Sequence, residues 1–196
     1  QFFRRQLQVG RAQVFFQAAL AFVWAGVLGN SDVVLGSVTS GRTIGPSGIE
    51  GVIGPCMASL PLRINLGEYS QNADLLRYIH TSNRAMMKYS SFPLSSIQKM
   101  IGLHPGDTIY DVLFVYQESP YSPSKTNSQF LQCRHIDRSE TKLLFEVTPT
   151  TDTYIVQATY HSNSTTTSMA NSLMQQFSNA VTTMVSKHNE SLGSLM

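Results

Sequence analysis

From Val14 to Leu28 the chain is apolar at almost every position, with Gln17 as the one strong interruption. Such a run predicts a helix over residues 11–29 that neighbours cover on most sides. Ala18, Ala19, Ala21 and Ala25 let those neighbours approach closely, and Gly29-Asn30 ends it. The run of about 15 residues is shorter than the roughly 20 a membrane span needs, so it reads as a core helix. Val33-Val34-Leu35-Gly36-Ser37-Val38 then reads as a strand buried on both faces. A connector over residues 40–52 holds four glycines and a proline, and the extended stretch Ser59 to Leu66 follows it.

Residues 70–88 read as a helix with Leu75, Leu76, Ile79 and Met86 on one side. A second helix starts near Pro93, carries Ile97 and Ile101, and stops in Gly102-Leu103-His104-Pro105-Gly106. Ile109 to Gln117 predicts a strand, and Glu118 to Ser128 a loop. Three further strands follow: a weak one over 129–135, one carrying Leu143, Phe145 and Val147, and one carrying Tyr154, Val156, Ala158 and Tyr160. Asp152-Thr153 turns between the last two. A closing amphipathic helix over 166–188 presents Leu173, Phe177, Val181 and Met184 behind a Ser164 or Thr165 cap. Helix, strand, helices, strands, helix implies an α/β layer arrangement, and the late strand pair implies a mixed sheet.

Composition sharpens this. At 196 residues the chain is one large domain or part of a larger one, and it can bury a sizeable core. Charged residues make up 13%, about half the usual share, which fits a surface partly covered by other protein. A net charge of +2 without a basic cluster argues against nucleic acid as a partner. Cys56 and Cys133 form no metal-type pair. One disulfide is compatible with them, but two buried reduced thiols and a cytoplasmic location are the expectation. The sequons at Asn163 and Asn189 are read as chance matches.

Candidate chemistry is sparse. His80, His104, His135, His161 and His188 sit in no HxxxD, HExxH or HxH pattern, so each is read as structural. Neither Ser40-Gly41 nor Ser47-Gly48 makes a nucleophile elbow. The Gly45 to Gly51 stretch lacks the Lys-Ser/Thr of a phosphate loop. Asp111, within an apolar strand, either pairs with an arginine such as Arg42 or Arg63 or faces solvent. Arg42, directly after a Ser-Gly turn, can hold a ligand carboxylate in its fork or lock a loop. No metal site and no catalytic residue is read from the chain itself.

Several ordered pieces carry a resemblance. They are Ala18 to Ala25, then Asp32 to Arg42 (DVVLGSVTSGR), then Gly48-Ile49-Glu50 with Ile53 to Arg63 (IGPCMASLPLR). Phe92 to Ile97 (FPLSSI) and Tyr110 to Gln117 (YDVLFVYQ) complete the set. Together they resemble the C-terminal half of the condensation domains of nonribosomal peptide synthetases over about residues 11–188, with a fungal flavour at Gly54-Pro55. The resemblance implies a chloramphenicol-acetyltransferase-like fold, of which this chain is a two-layer mixed-sheet α/β subdomain. Residues 1–10 are then a lead-in from a missing N-terminal half, about 40–66 a segment crossing to that half, and 189–196 a tail.

The resemblance also implies amide bond formation between acyl groups held as thioesters on the phosphopantetheine arms of carrier proteins, in peptide or siderophore-type assembly. No cofactor is bound directly. The implied partners are the N-terminal half, peptidyl or acyl carrier domains and an adjacent adenylation domain. The family's HHxxxDG motif is absent here, so this chain alone is expected to be inactive. Ser40, Gly41, Arg42 and Asp111 are expected to support or latch the tunnel. Gly54, Pro55, Cys56, Met57, Ala58 and Ser59 are expected to form the crossing segment. Ala58 stands where the family usually has Asn, which marks either local drift or a specialised or inactive domain. Two competing readings share the fold: a degenerate scaffold that only docks carrier proteins, and a free acyltransferase.

Overall fold

A computed structural model describes residues 12–42, 47–54, 56–104, 106–117, 141–161, 163 and 165–186. The expected strand over 129–135, the loop before it, the terminal segments 1–10 and 189–196, Pro55, Cys133, His135 and His188 lie outside the described residues.

Helix α1 spans Ala12–Leu28 and leads into strand β1, Asp32–Thr39. The Asn30 amide returns to the Ala25 carbonyl at 3.2 Å, a bond that closes the helix end as a Schellman turn. Strand β2, Ala58–Asn65, runs back beside β1. Helices α2, Asn72–Met87, and α3, Leu94–Met100, follow. Strands β3, Val112–Tyr116, β4, Leu143–Pro149, and β5, Tyr154–Tyr160, precede helix α4, Thr167–Ser186.

The strands form one sheet in the order β2-β1-β3-β4-β5. Pairs β1–β3 and β3–β4 are parallel, and the outer pairs β1–β2 and β4–β5 are antiparallel. The mixed sheet expected from the late strand pair is therefore present. Pro61 lies in β2, an edge strand, where its missing N–H breaks no central ladder.

Strand alternation sends Leu35, Leu62, Val112, Phe114 and Phe145 to one face, all buried to within 1%. Helix α1 lies against this face between α2 and α4. Its Ala18, Ala19 and Ala21 are fully buried, which is why small side chains recur there. Phe16 stacks on Phe177 of α4 at 6.1 Å, and Phe177 meets Phe145 of β4 at 5.2 Å. Leu173, Phe177, Val181 and Met184 form the buried stripe of α4, as their spacing predicts. Helix α3 buries no residue, and Ile101 just beyond it is exposed.

Three local expectations need correction. Strand β3 starts at Val112, so Asp111 precedes it. The β3–β4 register pairs Val112 with Leu143, which sets Asp111 beside Lys142, and the two form an ion pair at 2.9 Å. Neither arginine is its partner. Arg63 lies across β1 and β2 from Asp32 and binds it in a fork at 2.9 and 2.7 Å, which holds the Asp32 carboxyl below its ordinary range. The third concerns α4. Its first turn is capped by Thr166, whose hydroxyl accepts the Met169 amide at 3.3 Å, and not by Thr165, while Ser164 lies outside the described residues. Among the described residues no helix is long and apolar enough to cross a membrane.

Candidate functional site

The connector between β1 and β2 folds around Arg42. Its Nη1 donates to the carbonyls of Ile49 (2.8 Å) and Val52 (3.0 Å), and its Nη2 donates to that of Gly54 (3.0 Å). One planar fork thus gathers three peptide groups that the chain alone would leave to water. Of the two roles open to Arg42, locking a loop is the one the structure displays. The loop must also pass close by. Gly41 adopts φ +63°, and a Cβ there would stand 1.9 Å from the Cys56 carbonyl oxygen. Ser40, Gly41 and Arg42 are therefore joined with Gly54, Cys56, Met57, Ala58 and Ser59 in one structural unit. Ala58 pairs with Thr39 at the last step of the β1–β2 ladder. Cys56 is a free thiol and only half-buried, contrary to the buried thiol expected. Asp111 does not join this unit. Register sets it beside Val34, five strand positions or about 17 Å from the Thr39 end.

Beside the latch, at the carboxyl ends of the parallel strands β1 and β3, lies a cavity of about 300 Å³. Open α/β sheets commonly place ligands at this end of their parallel strands. Ser37 to Ser40 from β1 and its end, Val115 to Gln117 from β3, and Asn83 and Met87 from α2 form its walls. Met57, just ahead of β2, stands at its rim, 72% exposed.

Behind this wall is a buried polar chain. Gln17 of α1 is fully buried. Its Nε2 donates to Ser37 Oγ at 2.9 Å, and its Oε1 accepts from Asn83 Nδ2 at 2.7 Å. The three residues tie α1, β1 and α2 together, and each satisfies groups that burial would otherwise leave costly. In the sequence, Gln17 stands out only as an interruption of an apolar run. That interruption is the one signal of the network.

On the opposite face of the sheet, Tyr110 lies flat over Gly36, where a Cβ would stand 2.3 Å from a ring carbon. Its hydroxyl shares a short hydrogen bond with Ser59 of β2. Burial pushes the Tyr110 phenol above its ordinary value, and the bond to Ser59 opposes that shift. A glycine inside a strand marks close approach, and the Tyr110 ring is what approaches here. His80 and His161 are exposed on the surface, and among the described residues no cluster suits a metal ion.

Comparison with known proteins accords with this geometry. Residues 6–196 match the family model described as Condensation domain. Nonribosomal peptide synthetase 2 of Gibberella zeae is 50% identical over 149 residues, which are 76% of this chain and 3% of that protein. Nonribosomal peptide synthetase SIDC of Beauveria bassiana is 49% identical over 152 residues, 78% of this chain and again 3% of the relative. The chain thus spans a small part of the relatives it matches. Among solved structures, the condensation domain from the Monacolin K polyketide synthase MokA superposes with a TM-score of 0.73 at 14% identity, covering 92% of this chain and 42% of that one. That likeness speaks for the fold, and the sequence match for the family: this chain belongs to the condensation domains.

Proposed function

We propose that this chain is the C-terminal half of a peptide-synthetase condensation domain and forms one wall of its reaction tunnel. Residues 11–188 make the subdomain, 1–10 lead in from the N-terminal half, and 189–196 form a tail. In this reading the family's HHxxxDG motif belongs to the N-terminal half; no two histidines adjoin in this sequence. In the reaction, the amine of one carrier-bound group attacks the thioester carbonyl of the other. The new C–N amide bond replaces the C–S bond. The phosphopantetheine sulfur leaves as a thiol, taking up the proton the amine loses. This chain contributes tunnel wall, crossing segment and part of a carrier-docking face, and is inactive alone. Carrier domains, an adjacent adenylation domain, a cytoplasmic setting and a siderophore-type product belong to the same reading.

The observation that carries it is the Arg42 fork, which fixes the Ile49, Val52 and Gly54 carbonyls beside the cavity at the end of β1. A segment crossing to another half needs such an anchor where it leaves the sheet. In the intact synthetase, Arg42→Ala is expected to lower product formation and the melting temperature. Arg42→Lys is expected to recover little of either, because an ammonium lacks the planar fork. Unchanged product and stability in Arg42→Ala would remove the latch role. One observation favours the scaffold reading, namely Ala58 where the family usually has Asn. A broken HHxxxDG in the stretch before this chain would decide for it.

A further inference from the structure

Helix α3 and the turn that leads into it form an arm that this chain leaves uncovered. From Ala85 to Ile101 the backbone runs through consecutive turns and one short helix, closed by local hydrogen bonds. Helix α3 buries no residue. Tyr89, Phe92, Met100 and Ile101 are all exposed, Met100 to 78%. Large apolar side chains gathered in so short a surface stretch mark an interaction site, where single scattered ones need no explanation.

Charge singles out the same arm. Arg42 is held by three carbonyls, Arg63 by Asp32, Arg77 by Asp74 and Lys142 by Asp111. The remaining described cations, Arg84, Lys88 and Lys99, have no hydrogen-bond or ion-pair partner among the described residues. Arg84 and Lys88 stand one helical turn apart on the exposed side of α2, and Lys99 is exposed on α3. The carboxylates nearest along the chain do not answer them. Asp74 is taken by Arg77, and Asp107 accepts the His104 amide.

We infer that the arm from Arg84 to Ile101 docks on an acidic protein surface elsewhere in the same polypeptide. The inference rests on this chain being one part of a longer synthetase, and it spans only 3% of the relatives it matches. Cations placed around exposed aromatic and methionine side chains complement carboxylates placed around an apolar centre. Tyr, Phe, Met and Arg are also the side chains that protein interfaces favour. Three cations are fewer than the roughly four to eight that hold a segment on anionic lipid. A net charge of +2 over the whole chain gives no footprint for nucleic acid.

The test is zero-length cross-linking of the intact synthetase. A carbodiimide joins a lysine amine to a carboxylate where the two touch, with loss of water, and mass spectrometry of the digest reads both partners. Lys88, Lys99 or both should link to Asp or Glu outside this chain, while Lys142 links to Asp111. Arg84→Glu should lower the outside links about fivefold by setting an acid against an acid, and Met100→Asp should act in the same direction. Both positions are exposed, so neither change enters the core. Met169→Asp, also exposed but in the first turn of α4, should leave the links unchanged. Links from Lys88 and Lys99 confined to carboxylates of this chain, or absent altogether, would overturn the inference. So would outside links that Arg84→Glu and Met100→Asp leave at the parental yield. Links whose yield falls on dilution would come from a second molecule and overturn the placement in the same polypeptide. Sedimentation with phosphatidylserine vesicles that Arg84→Glu abolishes would assign the arm to lipid and overturn it as well. Amide product from the untreated enzyme is a separate readout: its absence counts against the condensation reading and leaves the links to decide this one.

Discussion

The backbone of Gly41 passes so close to the Cys56 carbonyl that a Cβ on Gly41 would stand 1.9 Å from that oxygen. Two segments 15 residues apart in sequence thus touch backbone to backbone at the point where the connector between β1 and β2 closes. Gly48 makes a clean comparison. It also has positive φ, +91°, but a methyl placed on it would meet nothing within 4 Å. Gly48→Ala should cost only the left-handed backbone penalty, about 1–2 kcal/mol. Gly41→Ala should cost distinctly more and lower the melting temperature of the intact domain further. Equal losses in a thermal unfolding comparison would mean that the Cys56 contact is not held in solution.

Gly36 and Tyr110 allow a double-mutant cycle. Gly36→Ala drives a methyl into the phenol ring and should destabilise by about 1–3 kcal/mol, as overpacking does. In a Tyr110→Ala background the same methyl meets space, and most of that cost should vanish. The expected coupling is about 1–3 kcal/mol by urea unfolding. Additive losses would show that the ring does not cover Gly36.

Gln17 invites a substitution that would complete the apolar pattern of its helix. Gln17→Leu suits an apolar helix but strips Ser37 and Asn83 of their buried partner. The expected cost is about 1–3 kcal/mol, the desolvation of groups left unpaired. If Gln17→Leu raised the melting temperature instead, the polar chain would be dispensable for folding.

Which of these features the sequence announces depends on the range of the forces involved. Periodicity places Leu173, Phe177, Val181 and Met184 correctly, because one helix face against one sheet face is a local pattern with a single solution. The family motifs point to the Ser40-Gly41-Arg42 turn and to the stretch ahead of β2, and the two meet where Arg42 donates to the Gly54 carbonyl. For Asp111 the sequence leaves an arginine partner and a solvent-facing position open and does not single out Lys142. That partner depends on which residue just ahead of β4 stands opposite, and register across parallel strands is set by the sheet as a whole. The same holds for Gln17, Ser37 and Asn83, which sit on three separate elements. Gly36 is legible as an oddity, but its reason, Tyr110, lies on another strand's approach.

Tyr110 links stability to pH in a direction that can be worked out in advance. Burial raises its folded-state pKa above the unfolded value near 10, with the Ser59 bond partly opposing. The folded state therefore holds the proton more tightly, and its contribution is fully present below about pH 10. As pH rises past that value, the unfolded chain ionises first and stability falls. Tyr110→Phe lacks both the Ser59 bond and the titration. At pH 8 the variant should be less stable by about 0.5–1.5 kcal/mol, the net worth of one hydrogen bond. Between about pH 8 and pH 11 that gap should close or reverse, since only the parent loses stability through this group. Urea unfolding of both proteins across that interval reads the difference directly. A gap that stays constant across it would show that the phenol titrates alike in the folded and unfolded chains, and is not buried over Gly36.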